Sequence, residues 1–257
     1  MSINNFLKSL TGLALLAASF ALPAAADHHA HAIMAAVKNV DRPADDRALD
    51  AVRKPADVLM FAGIAPGMKV LDINSAGGYY SELLSRIVGA EGTVYAHNGV
   101  VYWDFMKQTM PNRFANNRLA NVAHMNGTSE TVDLPAGSLD AAIAVLAYHD
   151  YFMTHGAREG GGREEVMPVL KSIYAALKPG GSFTIVDHIA EAGTGPDDFD
   201  KLHRIDPAFV QKQMEEAGFT LAGSSNALIT DTDDATRSPF DPDLRRKTSR
   251  FVLKFVK

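Results

Sequence analysis

The stretch Val70–Tyr80 reads VLDINSAGGYY. Two apolar residues run into an acid, Asp72. A short polar turn with Gly77 and Gly78 follows, and Leu83, Leu84 and Ile87 then recur at helical spacing. Strand, acid, glycine turn and helix, in that order, describe a loop that holds part of a nucleotide at a helix start. Asn74 and Ala76 stand where such a loop carries glycine. The stretch therefore predicts a strand–loop–helix unit and asks whether the loop still accepts a nucleotide-like ligand.

The same alternation continues on both sides. Upstream, Asp41 to Ile64 reads as helices, with Pro55 at a first turn and Val58, Leu59 and Phe61 as a buried face. Lys69 to Ile73 is the first strand, and Tyr79 to Val88 is the helix after it. Further strands are expected at Thr93–His97, Val122–Met125, Leu139–Leu146 and Ser182–Val186, with helices at Val100–Met110 and Glu164–Leu177. LKPGG stops the latter helix, and Asp206-Pro207 opens another that reaches Ala217. Phe219–Ala222 and Phe251–Val256 close the chain as strands with no helix between them. Strands alternating with helices give an α/β fold, a single doubly wound and mostly parallel sheet with an antiparallel C-terminal edge hairpin. HGAREGGGR, from His155 to Arg163, reads as a surface loop, either a flexible linker or a lid.

Composition narrows the function classes. The chain has 257 residues and a formal net charge of −5, which argues against a nucleic-acid partner. It has no cysteine, so thiolate chemistry and disulfides are excluded. Lys8, the apolar run Leu10–Leu22 and ALPAAAD read as a secretory signal peptide, residues 1–26, cut after Ala26. The other reading is a buried N-terminal helix or an uncleaved anchor. Export implies a periplasmic or secreted protein with no stable membrane span after cleavage. Residues 27–68 then form an N-terminal helical segment and residues 69–257 the α/β domain. The new end, with His28, His29 and His31, is expected to be a flexible polar tail.

In an open α/β sheet, ligands sit outside the carboxyl ends of the strands. Those ends carry Asp72, then His97 and Asn98, then Asn126 to Thr128, then Tyr148 to Asp150, then Asp187 and His188. His149 and Asp150 end the central strand and are the candidate catalytic pair, histidine being the natural base near neutral pH. The alternative is a strand cap and the start of a turn. Asp187 reads as a helix cap. His203 and Arg204 are placed to reach over the cleft, and Arg204 meets either an anionic substrate or a surface carboxylate.

VLDINSAGGYYSELL and LKPGGSFTIVD, over Lys69 to Lys257, resemble the class I S-adenosylmethionine-dependent methyltransferases. AGGYYSELLS, AYHDYF, LHRIDP and FDPDLRRKTSRFVLKF resemble more narrowly a bacterial group of exported methyltransferases known by sequence. The resemblance implies seven strands in the order 3-2-1-4-5-7-6. It also implies S-adenosyl-L-methionine as cofactor and a small-molecule methyl acceptor. It puts Asp72, Asn74, Ala76, Gly77, Gly78 and Tyr79 against the cofactor, Asn98 at the ribose and Thr128 near the adenine. With two loop glycines and the ribose acid replaced, weakened binding is expected. A second class is a non-catalytic periplasmic small-molecule-binding protein. A third is a metal-dependent hydrolase built from His97, His149, Asp150 and His188. No short ligand spacing supports that third class, so no metal site is expected.

Overall fold

A computed structural model describes residues 21–257. Its centre is a seven-stranded sheet: β1 (Lys69–Asp72), β2 (Thr93–Gly99), β3 (Val122–Gly127), β4 (Leu139–Val145), β5 (Leu177–His188), β6 (Thr220–Ser225) and β7 (Arg250–Val256). The order is β3-β2-β1-β4-β5-β7-β6, as the family resemblance implies. The first five strands are parallel, and β7 runs antiparallel between β5 and β6. Val70, Leu71 and Ala141 to Ala144 are buried, because helices cover both faces of a central parallel strand.

The helices are α1 (Ala21–Lys38), α2 (Ala44–Arg47), α3 (Asp50–Arg53), α4 (Pro55–Ala62), α5 (Tyr79–Val88), α6 (Val100–Met106) and α7 (Met110–Phe114), then α8 (Val166–Ala176), α9 (Pro196–Leu202) and α10 (Pro207–Glu216). One core layer joins Leu71, Leu170, Ile173, Phe183 and Phe255. The other joins Ile33, Leu59, Val70, Leu83 and Leu84. Asp206 caps α10, accepting the Ala208 amide at 2.8 Å. No helix among the described residues is long and apolar enough to cross a membrane.

Several boundaries move. β2 and β3 each run two residues further than expected, to Gly99 and Gly127, and this decides where Asn98 points. β5 starts at Leu177 because that residue already pairs with Leu139; the register then shifts over the PGG turn before Ser182 meets Ala141. His28, His29 and His31 lie in α1 and not in a flexible tail, and α1 buries Ile33 and Ala36. Residues 1–20 of the expected leader lie outside the described residues.

Candidate active site

β1 delivers Asp72 to the mouth of the sheet, where it is buried and accepts the Ser81 hydroxyl at 2.6 Å. Burial raises its pKa to about 7, against the pull of the Ser81 hydrogen bond. The chain then takes left-handed backbone at alternate positions, Asn74 (φ 52), Ala76 (φ 51) and Gly78 (φ 79). These are the positions at which a nucleotide loop carries glycine, so the backbone keeps the loop's shape although two side chains have changed. Asn74 Oδ1 accepts the Gly99 amide at 2.9 Å. The Asn98 side chain accepts the Ala76 amide at 2.9 Å and donates to the Ala76 carbonyl at 3.2 Å. Two amides thus hold the loop that glycines would otherwise leave free. At Gly78 (φ 79) a Cβ would fall 2.6 Å from Arg113 Cδ, so a side chain there is strained and must displace Arg113.

Above this loop lies a cavity of about 300 Å³ whose floor includes Asp72, Ser75, Gly77 and Tyr79. Asp46, Leu49 and Arg53, from the segment before β1, form its far wall. That segment is tied down by charge. Buried Arg42 pairs with Asp50 at 2.8 Å, Asp50 also accepts the Tyr79 hydroxyl at 2.6 Å, and Arg113 pairs with Asp46 at 2.7 Å. The Arg53 guanidinium lies over the Tyr79 ring, 4.4 Å from its centre.

A second cavity, of about 380 Å³, opens at the ends of β4 and β5. Val101, Phe105, Met153 and Phe240 wall it, and His149, Asp150 and His203 lie at its base. A short 3-10 turn, His149–Phe152, holds the first two. His149 is buried between two carboxylates: Nδ1 is 2.8 Å from Asp187 Oδ1, and Nε2 is 3.1 Å from Asp150 Oδ1. Asp187 also accepts the His149 amide at 3.0 Å. Burial opposes charge on the His149 ring, but the two carboxylates outweigh it and lift its pKa well above the ordinary histidine value. Asp150 is likewise pushed up by burial, and the His149 charge outweighs this and holds it well below the usual carboxylate range. Asp150 also accepts the Tyr102 hydroxyl. His203 Nδ1 lies 3.8 Å from Asp150 Oδ1. His188 also lines this cavity, with its Nδ1 held by the Thr248 hydroxyl at 2.9 Å, and burial lowers its pKa to about 3. Tyr102 and Leu146 line both cavities, so the two spaces share a wall.

The structure gathers Asp72, Asn74, Ala76, Gly77 and Tyr79 at the first cavity and His149 with Asp150 at the second. Gly78 turns the chain into α5 beside the first. Two sequence-named residues stand apart. Asn98 is fully buried and its amide is spent on Ala76. Thr128 is exposed and lines neither cavity. Asp187 is the buried partner of His149 and not a helix cap, because β5 runs one residue past it. Arg204 is not a surface ion pair; it is fully buried against Asp233 at 2.7 Å. His97 lines neither cavity. Sequence reasoning missed Tyr102 as the shared wall, and its only signal was its place one turn into the helix after β2.

No family model matches the chain. Among solved structures, a SAM-dependent methyltransferase from Aquifex aeolicus superposes with a TM-score of 0.58 at 20% identity, covering 86% of this chain and 96% of that one. An S-adenosylmethionine-dependent methyltransferase from Mesorhizobium loti gives 0.54 at 16% identity, covering 81% and 100%. Fibrillarin from Aeropyrum pernix, crystallised with natively bound S-adenosyl-L-methionine, gives 0.50 at 15% identity, covering 80% and 76%. Strand order, the antiparallel β7 and these likenesses give the chain the fold of the class I methyltransferases.

Proposed function

We propose that the chain is an S-adenosylmethionine-dependent methyltransferase acting on a small molecule. The observation that carries this reading is the pair of cavities meeting at Tyr102 and Leu146. Methyl transfer needs two ligands in line across a short gap, and positioning supplies most of the catalysis. The first cavity has features that suit an adenosyl cofactor. The loop backbone is shaped by its left-handed residues, and a Cβ at Gly77 would meet nothing nearer than 3.9 Å, so open space faces it. The buried Ser75 hydroxyl has no partner and borders that space. Arg53 would meet the carboxylate of the amino-acid part, and Asp72 its ammonium group. When bound, S-adenosylmethionine supplies an activated methyl group.

The chain's own residues would do the rest. The apolar walls of the second cavity exclude water from the acceptor. Its base holds the acceptor's proton-bearing atom near Asp150. His149, protonated between two carboxylates, is poorly placed to be the base expected from its sequence; it fixes Asp150, and the pair orients the acceptor's polar atom. Calorimetric titration of the protein with S-adenosylhomocysteine tests the cofactor half of this reading. One-to-one binding is expected in the wild type, with loss in Gly78→Val. Absence of heat at millimolar ligand would sink it. Once an acceptor is found, His149→Ala should lower methyl transfer far more than cofactor affinity. Equal loss of both would remove His149 from the second cavity's chemistry.

A further inference from the structure

We infer that His149, Asp150 and His203 form a binding site for a divalent transition-metal ion at the base of the second cavity. One donor atom from each, an imidazole nitrogen, a carboxylate oxygen and a second imidazole nitrogen, lies within 4.8 Å of the others. Asp150 Oδ1 is the hub, 3.1 Å from His149 Nε2 and 3.8 Å from His203 Nδ1. Ligands about 2.0–2.2 Å from a common ion sit roughly 3–3.5 Å apart. Small rotations, chiefly of the half-buried His203, close the set around an ion.

The surroundings of these donors are those of a metal centre. Metal-bound histidines usually hand their other ring nitrogen to a carboxylate, which fixes the ring and its tautomer. Asp187 does this for His149 at 2.8 Å and grips its backbone amide as well. Tyr102 occupies Asp150 Oδ2 and leaves Oδ1 to face the two imidazoles. The His203 ring stands edge-on to Phe240, 4.9 Å between centres. Asp150 and Asp187 bring two carboxylates to one buried imidazole. The nearby buried arginine, Arg204, is already committed to Asp233, so a cation at the hub would take the place of the proton that His149 Nε2 otherwise shares with Asp150. Two imidazoles and one carboxylate suit zinc, cobalt or ferrous iron better than magnesium or calcium.

Three protein ligands leave coordination positions open. The open side faces the cavity walled by Val101, Phe105 and Met153, next to the Tyr102–Leu146 wall. On the methyltransferase reading, from which this consequence alone follows, the ion would select an acceptor with an apolar body and an oxygen or nitrogen donor. No short ligand spacing marks this set, because His203 lies far along the chain and reaches the site at the C-terminal end of α9.

The test uses chelator-treated full-length protein titrated with cobalt(II), followed by calorimetry and by its visible absorption. One equivalent should bind and produce tetrahedral or five-coordinate bands. His203→Ala should weaken binding more than about tenfold, and Asp187→Asn by about tenfold, the size of an outer-shell loss. A variant with His28, His29 and His31 all changed to alanine should bind as the wild type does. No visible bands at hundreds of micromolar cobalt would overturn the site. So would binding that survives His203→Ala but disappears in the α1 triple variant. S-adenosylhomocysteine binding, measured on the same samples, separates this site from the cofactor reading. Cobalt binding without it leaves the metal site standing and the cofactor reading fallen.

Discussion

Ala76 places a methyl group on left-handed backbone, φ 51, where an L-residue costs about 1 kcal/mol or more. Ala76→Gly should therefore stabilise the protein by roughly 1 kcal/mol in urea denaturation. Asn74→Gly should not, because Asn74 Oδ1 holds the Gly99 amide. Asn98 shows how a sequence position can mislead. Its place at the end of β2 suggests a ribose contact, which an aspartate there would strengthen. The amide donates to the Ala76 carbonyl, and an aspartate would set a carboxylate against that oxygen. Asn98→Asp should instead cost about 1–3 kcal/mol of stability and weaken adenosyl binding; tighter binding would show that the residue faces the ligand. Asp72 carries a pH signature. Folded, it keeps its proton up to about pH 7, whereas its ordinary value is 3.8. Between those values the folded chain binds more protons than the unfolded one, so this group makes stability fall as pH rises from about 4 to about 7. Asp72→Asn removes the effect. Its melting temperature should exceed wild type at pH 8 and converge with it near pH 4, the gain being at most about 4 kcal/mol. A pH-independent difference would place the carboxylate in water.

Elements whose ends carry their own stop signals were legible. α5 runs from Tyr79 to Val88 as read, because Gly78 and Gly89 flank it. α10 begins where Asp206-Pro207 put it. Ends set by neighbours were not legible: β2 reaches Gly99 because β3 pairs with it that far, and a two-residue extension turned Asn98 into the loop. The glycine-rich segment read as a linker or lid is anchored at Arg158, which donates to the Asp150 carbonyl at 3.0 Å and pairs with Glu164 at 3.3 Å. The short helices α2 and α3 hold the wall of the first cavity through the pair of buried Arg42 with half-buried Asp50. Breaking one side of such a pair is costly. Arg42→Leu leaves a half-buried carboxylate and should destabilise the protein by about 1–3 kcal/mol. It should also raise hydrogen exchange across α2 and α3 before the sheet. Unchanged exchange there would mean that apolar packing alone holds the wall.

For the molecule as a whole, the mostly parallel sheet could be read from the alternation of elements, its strand order came with the family resemblance, and the convergence of strand ends followed from the rule for open α/β sheets. The joining of two cavities could not, since it depends on where Tyr102 and Leu146 stand in space and not on their spacing in the chain. We propose that the protein is exported with residues 1–26 removed. Cleavage would leave the buried Ile33 and Ala36 of α1 in place, and mass spectrometry of periplasmic material should find an N-terminus at Asp27; an intact terminus on cytosolic protein would refute export. The two-cavity arrangement is best examined in a crystal structure of the protein with S-adenosylhomocysteine. The adenosyl group should lie against Ser75 to Gly77, with the sulfur directed at the wall shared by Tyr102 and Leu146. A ligand bound elsewhere, or with its sulfur turned away from the second cavity, would show that this fold does not carry methyl transfer here.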